Sequence, residues 1–279
     1  MAKGQRLDQL ILDRGLLPSR EVARTAIMDG AVLVNGQKMT KPGMSVSESA
    51  VVELVPGFAQ PKFASRGGLK LEKALDFFGV SAEGRVCLDI GASTGGFTDC
   101  LLQRGARKVY AVDVGYGQLD WALRSDDRVV VRERLNARNM KPADLYDQAV
   151  PDASLVVMDV SFISITKILP VIASVTTDDP HLDVVCLVKP QFEAGRNAVG
   201  KGGVVKSAQT HIQVLKYVND FAESIDLNAV SFTFSPVKGP AGNIEFLAHL
   251  RKGATKLDYD FEKLVADADA SLSRVGSVL

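Results

Sequence analysis

Short apolar segments alternate with helical segments from residue 85 to residue 250, and this alternation limits the possible folds more than any other feature. The predicted strands are Arg85–Ile90, Lys108–Val112, Val129–Val131, Leu155–Met158, Val184–Val188, Ala229–Phe234 and Asn243–Leu250. The predicted helices lie near Leu69–Phe78, Gly96–Arg104, Gln118–Leu123, Ile165–Val175 and Ala208–Ile225. Apolar strands separated by helices are typical of a doubly wound α/β sheet, in which ligands bind beyond the carboxyl ends of the strands.

The first 55 residues have a different pattern, in which two helical segments precede short strands. The second helix is expected to begin after Ser19 and to end at Gly30, with Val22, Ala23, Ile27 and Met28 facing inward. Asn35-Gly36 between two alternating runs predicts a hairpin, because both residues tolerate positive φ. We therefore expect a small α+β domain over residues 1–60, a linker at about 56–63 and an α/β domain over residues 64–279.

Composition excludes several classes of protein. Of the 279 residues, 46% are hydrophobic and 24% are charged, which is typical of a globular protein. The N-terminal sequence lacks an apolar signal segment, and charged residues and a proline interrupt the longest apolar region, 155–175, so neither secretion nor a membrane span is expected. The three cysteines lie in apolar runs without CxxC spacing, which indicates a reducing compartment and a cytoplasmic protein. His181, His211 and His249 lack ligand spacing, so no metal site is expected.

The distribution of charge is more informative than its sum, which is zero. Residues 1–45 contain seven basic and four acidic side chains, and residues 61–73 contain four basic side chains and one acidic side chain, so each stretch has a net charge of +3. Basic residues thus concentrate near the N-terminal end of the chain. This pattern fits a phosphate-binding face as well as an ordinary solvated surface.

A glycine-rich loop follows the first strand of the predicted sheet. It reads Asp89-Ile-Gly91-Ala-Ser93-Thr94-Gly95-Gly96-Phe97-Thr98. The next strand ends at Asp113, whose carboxylate could accept hydrogen bonds from both hydroxyl groups of an adenosine ribose. NAD is disfavoured because the spacing is not G-x-G-x-x-G and Asp89 would face a pyrophosphate. S-adenosylmethionine fits best, because it carries cationic groups and no phosphate. The expected contacts are Asp89, Gly91, Ser93, Thr94, Gly95, Gly96, Phe97, Asp113 and, at the adenine edge, Asn136.

A second glycine-rich segment resembles the phosphate-binding loop of nucleoside triphosphatases. Gly195 to Lys201 matches G-x-x-x-x-G-K, but Gly202 occupies the position of the Ser or Thr that binds Mg²⁺, and no helix follows directly. A mobile lid is the better interpretation of this segment.

Four charged residues lie where predicted strands or a helix meet the carboxyl edge of the sheet. They are Lys70, Asp159, Lys189 and Glu245, and Asp159 and Lys189 directly follow apolar strands. Each could be a solvated strand end if it stood alone. Together they are similar to the Lys-Asp-Lys-Glu tetrad of the FtsJ/RrmJ-type ribose 2′-O-methyltransferases.

The N-terminal module resembles the S4 RNA-binding domain. The resemblance rests on Arg6-Leu7-Asp8, Gly15, Ser19-Arg20, Ala23, Ile27, Gly30, Val32, Val34-Asn35-Gly36 and Lys41-Pro42. This family places basic side chains of a helical hairpin on RNA phosphates, which implies contacts from Arg6, Arg20, Arg24 and Lys38. Arg66, in the second basic stretch, is a further candidate.

An S4-like module followed by this set of motifs resembles the TlyA family of ribosomal RNA 2′-O-methyltransferases, whose members often carry the label haemolysin A. The motifs are Ser65-Arg-Gly-Gly-Leu-Lys-Leu, the Asp89 loop, Asp159-Val-Ser-Phe, Lys189-Pro-Gln-Phe-Glu and Gly242-Asn-Ile-Glu-Phe. The resemblance implies a Rossmann-like, S-adenosylmethionine-dependent methyltransferase sheet with a small N-terminal S4 domain. It also implies ribosomal RNA or ribosomal subunits as partners and cytidine as the target.

Lys189 is expected to act on the 2′-hydroxyl, either as a neutral base or as a charged group that stabilises the developing alkoxide. Tyr116, Trp121 and Phe162 could stack on a flipped-out base, although core packing is the expected role of Trp121 and Phe162. Two other functions compete with catalysis: a non-catalytic RNA- or ribosome-binding factor, and a membrane-active haemolysin.

Overall fold

The computed structural model describes residues 4–275 except 18, 57, 59–60, 148–152, 178–181, 196–197 and 256. The chain forms two compact units, residues 1–65 and 66–279. His181 and parts of two predicted segments, the linker at 56–63 and the glycine-rich segment 195–202, lie outside the described residues.

In its described residues, the first unit contains two helices and five short strands. These are β1 (Gly4–Arg6), α1 (Leu7–Asp13), α2 (Arg20–Met28), β2 (Val32–Val34), β3 (Gln37–Met39), β4 (Ser45–Ser47) and β5 (Val52–Leu54). Strands β3, β2 and β5 form one antiparallel sheet, while β1 pairs with β4. The predicted helix start is confirmed, since the Ser19 side chain caps α2 by accepting a hydrogen bond from the Val22 N–H.

Turn chemistry sets the chain path in this unit. Asn35 and Gly36 have φ of 50° and 77° between β2 and β3, as the predicted hairpin requires.

Leu7, Ile11 and Ile27 are fully buried in the core of the first unit. Met28 was expected to face inward but is 56% exposed, because α2 ends there and turns its last side chain to solvent.

The second unit is built on a seven-stranded sheet. Its strands are β6 (Val86–Ile90), β7 (Lys108–Val112), β8 (Val129–Arg132), β9 (Leu155–Met158), β10 (Asp183–Val188), β11 (Leu227–Phe234) and β12 (Phe246–Lys252). The order across the sheet is β11-β12-β10-β9-β6-β7-β8. Strands β6 to β10 pair in parallel, whereas β12 runs antiparallel to both β10 and β11. The doubly wound α/β prediction is confirmed.

Helices accompany these strands in the described residues. They are α3 (Gly67–Phe78), α4 (Gly96–Gln103), α5 (Trp121–Arg124), α6 (Pro142–Leu145), α7 (Leu169–Val175), α8 (Pro190–Glu193), α9 (Ala208–Ser224) and α10 (Phe261–Val275). The sequence predicts α3, α4, α5, α7 and α9, but not α6, α8 or α10. Short 3₁₀ helices span Ala137–Asn139 and Ile165–Lys167. No helix in the described part of the chain is long and apolar enough to cross a membrane.

The core of the second unit explains why its strands lack polar alternation. All residues of β6, β9 and β10 are buried, since helices cover the sheet. Helix α10 is absent from the sequence-based expectation, which treats the tail after Lys252 as uninformative. Its residues Phe261, Val265, Ala268 and Leu272 are nevertheless buried in this core.

Candidate active site

Parallel strand pairing places the ends of β6, β7, β9 and β10 at one edge of the sheet. Asp159 directly follows β9, and Lys189 directly follows β10. Because Val188 pairs with Phe246 across the antiparallel ladder, Glu245 precedes β12 at the same edge. The fourth residue, Lys70, lies in the first turn of α3.

The four charged side chains meet in a single chain of contacts. Glu245 Oε2 lies 2.6 Å from Lys70 Nζ, which lies 3.8 Å from Asp159 Oδ2. The other carboxylate oxygen, Asp159 Oδ1, lies 2.5 Å from Lys189 Nζ, as a close ion pair without hydrogen-bond alignment. The order Glu–Lys–Asp–Lys therefore alternates negative and positive charge, and the cluster has no net formal charge.

Because the cluster is buried, loss of any one of its four charges would destabilise the fold. Lys70 and Lys189 are each 7% exposed, and Glu245 is 1% exposed. A buried charge that loses its partner destabilises a fold far more than a surface charge does. The arrangement thus holds Lys189 at the edge of the sheet, where its ammonium also donates to Ser161 Oγ over 2.8 Å.

Two positions of the glycine-rich loop require glycine, because a Cβ there would meet neighbouring atoms. A Cβ on Gly91 would lie 2.5 Å from the Asp159 carbonyl oxygen, and Gly91 has φ of 88°. A Cβ on Gly95 would lie 2.2 Å from Leu123 Cδ1 on α5. Gly91 therefore lets the ends of β6 and β9 approach, whereas Gly95 accommodates the packing of α5.

A cleft of about 490 Å³ opens beside this loop. Among the predicted cofactor contacts, Gly91, Ser93, Asp113 and Asn136 line it, together with Asp159 from the charged cluster. The Asp113 carboxylate is held in place by the N–H groups of Ser93 and Gly115, over 2.8 and 2.7 Å. Asn136 Oδ1 accepts the N–H of Arg138 as a helix cap, so this oxygen is already used.

Other predicted cofactor contacts do not line the cleft. Gly95 and Gly96 are buried at the start of α4, and Thr94 is exposed. Phe97 is 3% exposed, because the first turn of α4 directs it into the protein interior. The prediction that Phe97 lines the pocket is therefore corrected to a packing role.

Asp89 lies beneath the loop and is fully buried. Its Oδ2 accepts a hydrogen bond from Thr98 Oγ1 over 2.6 Å, while Oδ1 has no hydrogen-bond partner among the described residues. Burial raises the pKa of this carboxyl to about 7, against the opposing effect of the Thr98 bond. Asp89 thus does not line the cleft, and its carboxyl is partly protonated near neutral pH.

The aromatic residues near the cleft are more exposed than the sequence suggests. Trp121 and Phe162 are 74% and 91% exposed, so the expectation that they pack in the core is wrong. Trp121 begins the short helix α5, and Phe162 follows β9 in a turn with φ of 66°, so both project away from the sheet. Tyr116 is also exposed, and the Arg134 guanidinium lies 4.2 Å above its ring.

Two of the basic residues in the first unit contact one buried carboxylate. Arg6 Nη2 and Arg20 Nε lie 2.8 and 3.1 Å from Asp8 Oδ2, and Asp8 itself is fully buried. Burial alone would raise the pKa of Asp8, but the hydrogen bonds and charges of the two arginines lower it. Arg24 and Lys38 are exposed, and so is Arg66 at the start of α3 in the second unit.

Sequence reasoning missed three contributors to these sites. Asp8 orients two of the predicted RNA contacts, and Ser161 holds the Lys189 ammonium. Asn243 fixes the chain directly after the segment interpreted as a mobile lid, since its side chain accepts the Val205 N–H and donates to the Gly203 carbonyl. Each is a small polar residue inside a motif already singled out, and position in the motif was the only available signal.

Comparison with known proteins assigns both units. Residues 63–252 match the model for FtsJ-like methyltransferases, and residues 5–52 match the S4 domain model. The chain is 48% identical over 249 residues to "Putative rRNA methyltransferase YqxC" of Bacillus subtilis, covering 89% of this chain and 86% of that protein. It is 43% identical over 251 residues to "16S/23S rRNA (cytidine-2'-O)-methyltransferase TlyA" of Mycobacterium tuberculosis, covering 90% and 91%.

A solved structure agrees over the whole chain. "Putative hemolysin from Streptococcus thermophilus" superposes with a TM-score of 0.76 at 41% identity, covering 99% of this chain and 100% of that one. The methyltransferase and S4 matches span both units, and the relatives match nearly end to end. The chain therefore belongs to the TlyA family of FtsJ-like methyltransferases with an N-terminal S4 domain.

Proposed function

We propose that this protein transfers the methyl group of S-adenosylmethionine to a ribose 2′-hydroxyl of ribosomal RNA, with cytidine as the target. The observation that carries the proposal is the Glu245–Lys70–Asp159–Lys189 chain of contacts beside the cleft. The name of the Mycobacterium tuberculosis relative supports the choice of ribosomal RNA and of cytidine.

The cleft suits this cofactor by size and by charge. Its volume of about 490 Å³ is within the usual range for small-molecule sites. Its walls carry the carboxylates of Asp113 and Asp159, and Asp89 adds a third acid beneath the loop. Such walls favour a ligand with cationic groups over one with a pyrophosphate. Asp113 would hold the ribose, and Gly91 and Ser93 would border the rest of the ligand.

When bound, S-adenosylmethionine supplies an electrophilic methyl group. The protein must then align a ribose hydroxyl with that methyl group and manage its proton. Lys189 would perform this task, and its contacts support the proposal, because its Nζ is held by Asp159 and Ser161, which line the cleft. Lys70 contacts Asp159, and Glu245 in turn contacts Lys70. Alignment of this kind is worth a large share of the barrier in transfer reactions.

The exposed basic residues of the first unit would bind RNA phosphates. Arg6 and Arg20 present their guanidiniums around Asp8, and Arg24 lies one turn further along α2. Phosphate contacts of this kind position RNA without reading its sequence. Selection of the target nucleotide would then fall to the second unit.

The test is transfer of tritium from labelled S-adenosylmethionine to ribosomal subunits or naked ribosomal RNA. We expect Lys189→Ala to lower the rate by ~10²–10⁴-fold, the usual contribution of a residue that assists proton transfer. Lys216→Ala is the matched control, because Lys216 is exposed and its ion pair among the described residues is with the exposed Glu262. RNA binding without label from the wild type would favour a non-catalytic RNA-binding factor instead.

A further inference from the structure

Glu193 is a largely buried carboxylate for which the proposed mechanism has no use. It ends α8, the short helix that begins directly after Lys189. Its Oε2 accepts a hydrogen bond from Ser164 Oγ over 2.5 Å, and its Oε1 accepts the Ile165 N–H over 2.9 Å. Glu193 does not line the cofactor cleft. Both of its oxygens are committed to one turn of the neighbouring loop.

That turn, residues 161–164, forms a wall shared by two cavities. Ser161, Phe162 and Ile163 line the cofactor cleft, and Phe162, Ile163 and Ser164 line a second cavity of about 530 Å³. The turn contains Phe162 in a left-handed backbone conformation, with φ of 66°. A bulky residue seldom adopts this conformation unless its surroundings impose it. Contacts at the ends of the turn are therefore needed to maintain its shape.

The segment 189–193 supplies contacts to both ends of the turn. At the first end, Lys189 Nζ contacts Asp159 and Ser161. At the other end, Glu193 holds Ser164 and Ile165. Loss of the Glu193 contacts would loosen the second end of the turn, where the Ser164 hydroxyl would keep its local bonds to Thr166, while leaving the Lys189 contacts in place.

We propose that Glu193 is a positioning residue for the methyl-transfer reaction, which fixes the 161–164 turn in the shape that the RNA substrate requires. The inference rests on the proposed function, because it assumes that RNA reaches Lys189 along this wall. Glu193 acts through the turn and touches no reacting atom.

The chemistry of the contacts indicates which substitution should restore function. Burial raises the pKa of Glu193, so its surroundings disfavour the charge. The turn offers one N–H donor and one hydroxyl that can donate or accept. A glutamine carbonyl can accept from Ile165 while its amide donates to Ser164. Glu193→Gln should therefore preserve the turn, whereas Glu193→Ala removes both contacts.

The experiment measures kcat, KM for RNA and the dissociation constant of S-adenosylhomocysteine for the full chain carrying each substitution. For Glu193→Ala we expect kcat/KM for RNA to fall by ~10–100-fold, the scale of a misplaced substrate. KM for RNA should account for much of this loss. Although the turn borders the cofactor cleft, ligand affinity should change by less than ~3-fold, because Asp113 and the glycine loop are untouched and Lys189 still holds Ser161. Glu193→Gln should restore kcat/KM to within ~3-fold of the wild type.

A purely structural role predicts a different pattern. It would lower the melting temperature and the active fraction, which reduces kcat and leaves KM for RNA unchanged. That pattern, or unchanged kinetics in a folded Glu193→Ala, would overturn the proposal. If Glu193→Ala does not fold, Ser164→Ala removes one of the two Glu193 contacts together with the bonds of Ser164 to Thr166, and it should raise KM for RNA with rescue by Ser164→Thr. Wild-type protein that transfers no methyl group would instead contradict the proposed function.

Discussion

Two carboxylates, one in each unit, are fully buried and yet differ in their chemistry. Asp8 in the first unit is contacted by two arginines, and their hydrogen bonds and charges lower its pKa despite burial. Asp89 in the second unit has a hydroxyl partner and no cation, so burial raises its pKa to about 7. Both side chains are closed to solvent, but Asp89 lies deeper in the protein and has no cation beside it among the described residues, so its pKa rises whereas that of Asp8 falls.

The comparison separates a structural carboxylate from one available to a ligand. Asp8 has its cations already, and its role is to hold Arg6 and Arg20 in place. Asp89 has one oxygen without a partner among the described residues and lies beneath a cleft proposed to bind a cationic cofactor. The charged cluster at the sheet edge is a third case, in which each lysine contacts carboxylates that the protein supplies.

Removal of the charge should destabilise the protein at Asp8 and not at Asp89, and this is the largest effect that the comparison of the two carboxylates predicts. Asp8→Asn weakens bonds from two arginines, and we expect the free energy of unfolding to fall by ~1.5–3 kcal/mol. Asp89→Asn removes a charge that its site disfavours, so stability at pH 8 should be equal or higher. Urea unfolding at pH 8 measures both variants.

The pH dependence of the free energy of unfolding shows the direction in which folding shifts each pKa. Asp8 contributes stability that is present above its unfolded pKa and is lost as pH falls through its lower folded pKa. Asp89 takes up a proton on folding, so its contribution is lost as pH rises from ~4 to about 7. A destabilised Asp89→Asn at pH 8 would contradict this comparison.

Salt dependence of RNA binding tests the role of the first unit, with an expected effect of about tenfold. Arg24→Gln combined with Lys38→Gln removes two exposed cations that do not contact Asp8. The slope of log affinity against log salt should become less steep by ~1.4–1.8, which corresponds to ~10-fold between 50 and 200 mM salt. Lys263→Gln, in the second unit, should leave the slope unchanged. An unaltered slope in the double variant would mean that another surface binds the RNA.

The smallest effect concerns cofactor affinity near neutral pH. Because the pKa of Asp89 is about 7, its negative charge is lost as pH falls, and a cationic ligand should then bind less well. Affinity for S-adenosylmethionine should decrease by ~3-fold from pH 7.5 to pH 6.5. Calorimetry with Asp89→Asn as the control should show a flat profile. A flat wild-type profile would remove Asp89 from the account of cofactor binding.

The sequence predicts strands and their ends better than it predicts the direction of individual side chains. The apolar runs of β7 and β9 are local, and their predicted bounds match the structure. The residues that follow such strands can therefore be placed at one edge of the sheet, and Asp159 and Lys189, which follow β9 and β10, do lie in contact there.

Side-chain direction depends on contacts between distant parts of the chain. Phe97 lies in a motif that suggests cofactor binding but packs inward, whereas Phe162 lies after an apolar strand but projects outward. The pairing of Asp8 with Arg20 joins residues of two different helices, and no local pattern reveals it. Helix α10 was missed although its buried residues recur at helical spacing, because the surrounding tail is polar.

The nature of the methylated product tests the central claim most directly. Ribosomal RNA treated with the protein and S-adenosylmethionine would be digested to nucleosides and analysed by mass spectrometry. The account predicts new 2′-O-methylcytidine with the wild type and with Lys216→Ala, and none above background with Lys189→Ala. A methyl group on a base, or equal 2′-O-methylation by Lys189→Ala, would contradict it.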